Sequence, residues 1–283
     1  MRAWWAAIVV FCGGAVWAAA PPPTLQMMMT PSAQRTARYE AYLAVSRMLD
    51  SGQPEAALSK LKALEKQDSQ NALPLYLRAY AQFLGGASEK ALASVVAGNG
   101  RPYLITYLDA EAAFATGVPT DIYVFHRRGW LYSAMLPHLK CLRALVRGLV
   151  SYAEGLPVQK RVQALRTLSA MASKTLTGRP FIIITTLVGM ALHRMVDTQL
   201  DPAYSEAGDA KGAAAVRDRQ SRLERLRSVL KERLDRLHEA AGPEARAALK
   251  QDNQALREAL VSLALGEERV VRDALKETGF LPR

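Results

Sequence analysis

The sequence predicts an all-α protein of stacked antiparallel helical hairpins, an α-solenoid ending in a charged helical hairpin, and three observations carry that prediction. Apolar residues recur at three- and four-residue spacing through most of the chain, the mark of helices packed on one face. Two segments 34 residues apart match one another, as expected of stacked supersecondary units. Near the C-terminus leucines fall seven residues apart amid dense Arg and Glu, which draws a narrow apolar stripe along charged helices.

Met1 and Arg2 precede an uncharged apolar run, residues 3–20, that ends in small residues, the three-part composition of a secretory signal. Proline disfavours a cut just before it, so cleavage is expected after Ala18 rather than ahead of Pro21. Residues 1–18 are then the signal, and the mature protein is exported to the periplasm or cell envelope. An uncleaved N-terminal membrane anchor is the alternative, with Trp4 and Trp5 suited to an interface. Cys12 does not make a lipoprotein signal, because Phe11 stands where a small residue is needed. Residues 19–32, with four prolines and Met27, Met28 and Met29, read as an extended linker. No His or Cys accompanies those methionines to hold a soft metal.

From residue 33 the chain reads as helical. The stretch 51–58 lines up with 85–92, pairing Gly52 with Gly86, Glu55 with Glu89, Ala57 with Ala91 and Leu58 with Leu92, each 34 residues apart. Here the chain resembles a tetratricopeptide repeat. The resemblance covers residues 33–98 and implies a glycine turn between paired helices, a small residue at their close approach and work by contact with a partner. Tyr39, Tyr42, Tyr76 and Tyr80 stand only partly in the family's aromatic positions. A further helix over 103–116, ending at Gly117, would continue the repeat part to 33–117.

Residues 118–129 break the periodicity, and 121–132 interleave Tyr123, Phe125, Trp130 and Tyr132 with His126, Arg127 and Arg128. Aromatic rings beside guanidinium groups stack on or clamp anionic ligands. Tyr123, His126, Arg127, Arg128, Trp130 and Tyr132 are therefore the candidate partner-binding residues. The structural reading of the same segment is a seal between the repeat part and the core, with the arginines in water.

The stretch 118–200 reads as a central helical core. Leu136, Leu139, Leu142, Leu145, Val146, Leu149 and Val150 share one helix side while Lys140, Arg143 and Arg147 take the other. After a turn with Gly155 and Pro157, the pattern resumes as Val162, Leu165, Leu168, Met171, Ala172 and Leu176. Residues 181–192 carry no charge; their β-favouring start leaves strand or helix open, and the length of the apolar pattern, up to Pro202, decides for a buried helix. His193, Arg194 and Asp197 cut that run short of a membrane span. With a turn at Glu154-Gly155 and the Leu187–Leu192 pattern, 137–200 also resembles a class of exported bacterial helical proteins, a resemblance that implies fold and export and no activity.

The final part, 201–283, opens on an Ala, Gly and acid-rich loop at 201–212. Val216, Leu223, Leu230 and Leu237, with Leu226 and Leu234 beside them, form the first stripe; Gly242-Pro243 is expected to stop that helix. Leu249, Leu256 and Leu263, with Leu260, form a second helix folded back on it, and a short helix over 267–278 ends at Gly279.

At 283 residues the chain can hold one large or two small domains, and its net charge of +11 is uneven. Residues 120–200 alone carry 11 basic and 3 acidic side chains. That balance suits an anionic partner, and export leaves a protein or an anionic envelope component ahead of nucleic acid. Cys12 and Cys141 are the only cysteines, and Cys141 reads as a packed thiol. His126, His138, His193 and His238 have no metal-ligand spacing, and no nucleophile elbow, Walker loop or dinucleotide fingerprint occurs. No cofactor, metal or catalytic residue is assigned. His193 and Asp197, four residues apart on one helix face, could couple as base and orienter, but no recognisable nucleophile accompanies them, so no catalytic role is assigned to them. The expected function is protein binding or scaffolding in the cell envelope; the alternative is a helical enzyme acting on an envelope polymer with its groove around 121–132.

Overall fold

The computed structural model describes residues 33–107, 136–179, 181, 183–248 and 266–282. The signal and linker, the candidate residues Tyr123 to Tyr132 and the leucines Leu249, Leu256 and Leu263 lie outside the described residues. The described helices are α1 (Ala33–Asp50), α2 (Pro54–Gln67), α3 (Leu73–Leu84), α4 (Ser88–Asn99), α5 (His138–Glu154), α6 (Val158–Leu176), α7 (Ile183–Glu206), α8 (Ala210–Ala248) and α9 (266–277). Among the described residues there is no strand, only two isolated bridges, so the fold is all-α. Each helix packs on its neighbour in sequence from α1 to α4 and from α5 to α8, and α3 and α4 also lie against α5 and α6. One buried apolar cluster runs without a break from Tyr39 on α1 to Val216 on α8.

The 34-residue correspondence is a correspondence of backbone geometry. Gly52 (φ 71°) and Gly86 (φ 77°) both adopt the left-handed conformation that a side chain disfavours. Around Gly52 the amides of Ser51, Gly52 and Gln53 donate to the carbonyls of Arg47, Leu49 and Met48 at 3.0, 3.3 and 2.8 Å. Thirty-four residues on, Gly85, Gly86 and Ala87 donate to Ala81, Phe83 and Gln82 at 3.1, 2.9 and 2.9 Å. This is the glycine-terminated helix end in which the last free carbonyls are satisfied by the turn itself. Ala57 and Ala91 are fully buried where the paired helices meet, as are Tyr42 and Tyr76.

The same turn occurs a third time, where the sequence reads as a loop. Ala207, Gly208 (φ 73°) and Asp209 donate to Ala203, Ser205 and Tyr204 at 3.0, 3.1 and 2.9 Å, and Ala213, five residues after the glycine like Ala57 and Ala91, is buried. The expected 201–212 loop is thus corrected to three residues between α7 and α8. Pro202 sits inside α7; the carbonyl it leaves without a donor is that of exposed Thr198, while burial of Ala203 and Tyr204 favours the extra turn.

Two other expectations are corrected. Residues 103–107 are extended, not the start of a helix, because buried Asn71 takes both backbone groups of Ile105, accepting from its N–H at 2.9 Å and donating to its carbonyl at 2.8 Å. Gly242-Pro243 does not stop α8, which continues to Ala248: one absent N–H removes one hydrogen bond from a ladder that holds on either side. The stripe is buried as far as Leu230 and partly buried at Leu234 and Leu237, with Val216 in the main cluster and Leu223, Leu226 and Leu230 packed with Leu176, Phe181 and the α9 residues Val271, Ala274 and Leu275.

Helices α6 and α7 approach closely at Gly189. A Cβ on Gly189 would fall 2.4 Å from Leu176 Cα and 2.5 Å from its N, atoms that cannot rotate away. On an open helix surface Gly→Ala gains about 1 kcal/mol. Gly189→Ala is instead expected to destabilise by about 1–3 kcal/mol, as overpacking does, in a denaturant titration. Gly148→Ala, which meets only the ring of partly buried Phe83, should cost less.

Candidate functional site

Helix α5 buries Leu139, Leu142, Leu145, Val146 and Leu149 as expected, which leaves Lys140, Arg143 and Arg147 along its solvent side. Helix α7 lies alongside and adds Ile184 and Val188, and between the two helices opens a groove of about 680 Å³. Its apolar surface comes from Leu136, Leu139, Ala144, Ile184 and Val188 and its charge from Lys140, Arg143, Arg147 and Asp50. Asp50 is engaged by Lys140 at 2.8 Å. Leu187, 43% exposed, extends the apolar strip along α7. Leu136 and Pro137, in the groove's wall, are the first described residues after the aromatic and arginine-rich segment.

A second groove, of about 540 Å³, is assembled from residues 102–104, the end of α6 with Arg179 and Phe181, and residues 279–281 beyond α9. Its polar lining is Ser173, Lys174, Thr177 and Arg179. Lys174 donates from Nζ to the carbonyl of Arg101, and the Arg179 guanidinium lies 4.9 Å over the ring of Phe181. Burial lowers both cations from their ordinary values; for Arg179, Glu268 opposes the effect and Arg272 adds to it.

Behind this groove the polar groups of α6, α7 and α8 meet. Ser173 Oγ lies 3.0 Å from Nε2 of buried His193. Asp197, 0% exposed, accepts from Arg219 at both oxygens, Nε at 3.1 Å to Oδ2 and the terminal nitrogen to Oδ1. His193 and Asp197 do not couple: the carboxylate is taken by Arg219 of α8, and His193 Nδ1 has no hydrogen-bond partner among the described residues. Burial, with Arg219 and Arg222 adding to it, pushes the imidazole down to about 3. A nucleophilic serine needs a base held by an orienting acceptor; the hydroxyl and imidazole are present here without the third group. A second buried histidine, His138, sits with Nδ1 2.7 Å from the Tyr42 hydroxyl, which also accepts from its backbone N–H at 3.1 Å, tying α1 to the start of α5.

Cys141 is buried, and its thiol is pushed up to about 12 mainly by that burial, so it is a packing group. Among the described residues no three His, Cys, Asp or Glu side chains group as metal ligands, and no helix is long and apolar enough to cross a membrane. Sequence reading missed Ser173, Lys174 and Arg179, for which spacing gives no signal, because the other groove walls come from chain segments distant in the sequence. No protein-family model, no curated protein and no solved structure matches the chain.

Proposed function

We propose that this is an exported helical-repeat protein of tetratricopeptide kind, acting in the cell envelope as a protein-binding or scaffold module. Its partner is a protein with an acidic, amphipathic segment that lies along the α5–α7 groove. The observation that carries the reading is the groove's composition: Lys140, Arg143 and Arg147 stand beside an apolar strip that continues to Leu187. A partly apolar, net positive groove suits a segment with carboxylates on one side and aliphatic groups on the other. Stacked helical units commonly act through such extended surfaces. Tyr123, His126, Arg127, Arg128, Trp130 and Tyr132 are proposed to extend the same surface.

The test compares full-length wild type with the double variant Arg143→Glu/Arg147→Glu, each immobilised and presented with solubilised envelope proteins. Both side chains are exposed, so stability should stay within about 0.5 kcal/mol. The protein that wild type retains should be lost from the variant by roughly tenfold or more, and raised salt should weaken wild type further. Equal retention by both proteins overturns the reading.

A further inference from the structure

We propose that the groove lined by Lys174, Arg179 and Phe181 binds a small phosphate monoester carrying an apolar or aromatic body. This site is separate from the proposed partner groove, with which it shares no lining residue. Its volume of about 540 Å³ lies in the range typical of small-molecule sites. The lining divides into a cationic part, Lys174 and Arg179 with the hydroxyl residues Ser173 and Thr177, and an apolar part, Pro102, Leu104, Phe181, Phe280 and Leu281. Two cations match a head group that carries about −1.5 to −2 charges at neutral pH better than a single carboxylate does.

The cations are held in place. Arg179 is fixed at its backbone, donating to Leu104 O at 2.8 Å and accepting from Thr106 N–H at 3.0 Å, so its side chain starts from a clamped position above Phe181. Gly178 permits that clamp, since a Cβ there would meet Leu104 Cδ2 at 2.9 Å. Lys174 is tethered to Arg101 O, and Arg179 feels both the carboxylate of Glu268 and the guanidinium of Arg272. Both are partly desolvated cations, and such groups gain more from an arriving anion than cations standing in water. Ser173, its hydroxyl backed by the neutral imidazole of His193, contributes a further polar contact at the groove's edge. Phe181 is buried beneath Arg179, so the apolar surface open to a ring or chain on the head group comes from Pro102, Tyr103, Leu281 and the part of Phe280 that Arg222 does not cover.

The experiment titrates the full chain calorimetrically with benzyl phosphate, benzoate and benzyl alcohol. Saturable binding of benzyl phosphate is expected, with benzoate weaker and the alcohol without measurable binding. Lys174→Gln, which keeps a donor for Arg101 O, and Arg179→Gln should each weaken benzyl phosphate by roughly tenfold to a hundredfold, as expected for losing a charged hydrogen bond. Melting temperatures of both variants separate lost binding from lost fold. Arg143→Glu/Arg147→Glu should bind benzyl phosphate as wild type does, so failure of the partner-groove reading and failure of this one are distinguishable. Absence of saturable binding, benzoate or benzyl alcohol binding as tightly as the phosphate, or full affinity in both glutamine variants would overturn the proposal.

Discussion

Replacing Arg219 by Met is expected to destabilise the protein by about 3–5 kcal/mol, the cost of leaving a buried charge without its partner. Asp197 is fully enclosed between α7 and α8, and both of its oxygens are occupied by Arg219. Burial already pushes the Asp197 carboxyl up, with Arg219 pulling it back and Asp201 adding to the rise. Without Arg219 the rise grows, and the folded state comes to bind a proton that the unfolded chain has released. Stability then falls as pH rises above the unfolded carboxylate's value of about 4, because the native state holds more protons in that window. The deficit of Arg219→Met should be larger at about pH 8 than at about pH 5 in urea titrations. Asp197→Leu/Arg219→Met should recover much of the loss, since an apolar pair of similar volume replaces a buried ion pair at little cost. A single variant as stable as wild type would mean that water reaches Asp197.

That ion pair marks the limit of what the sequence discloses. His193 and Asp197 are four residues apart and suggest each other, whereas the actual partner, Arg219, lies 22 residues away across a turn. The turn was hidden for a related reason: Gly208 has the same left-handed geometry as Gly52 and Gly86, yet Pro202 and the acidic, small residues around it have the composition of a loop. Only the burial of Ala203, Tyr204 and Ala213 overrides that local preference, and burial depends on neighbours that the sequence does not order. Where a pattern is local, it was legible. The 34-residue spacing of Gly52 and Gly86 and the apolar face of α5 both survive intact in the fold.

The grooves follow the same division. Lys140, Arg143 and Arg147 are readable as the polar side of α5, but that they face Ile184 and Val188 requires the packing of α7. The β-favouring residues Ile183 to Thr186 lie inside α7, as the length of the apolar pattern predicts. The bridge nearby pairs Arg179 with Ile105, outside that β-favouring run, and depends on a segment that the sequence does not place beside it.

The leucine stripe of α8 gives the other large effect. Leu230 is almost fully buried between Leu226 and the α9 residues Val271, Ala274 and Leu275, and Arg233 on the same helix pairs with Glu277 of α9 at the surface. Leu230→Asp removes a packed side chain and places a charge among apolar neighbours, two costs that act together. The expected destabilisation is about 2–5 kcal/mol, read as a melting temperature lower by roughly 2 °C or more per kcal/mol for a chain of this size. Deleting residues 266–283 identifies the cover. If α9 shields Leu230, the deletion alone should destabilise, and Leu230→Asp introduced into the shortened chain should then cost much less, because the stripe already faces water. The difference between the two costs is a coupling energy, and contacts of this kind give couplings of about 0.5–3 kcal/mol. Additive effects would mean that α9 is not what covers Leu230, and an unchanged melting temperature for Leu230→Asp in the full chain would mean that the stripe is open to solvent.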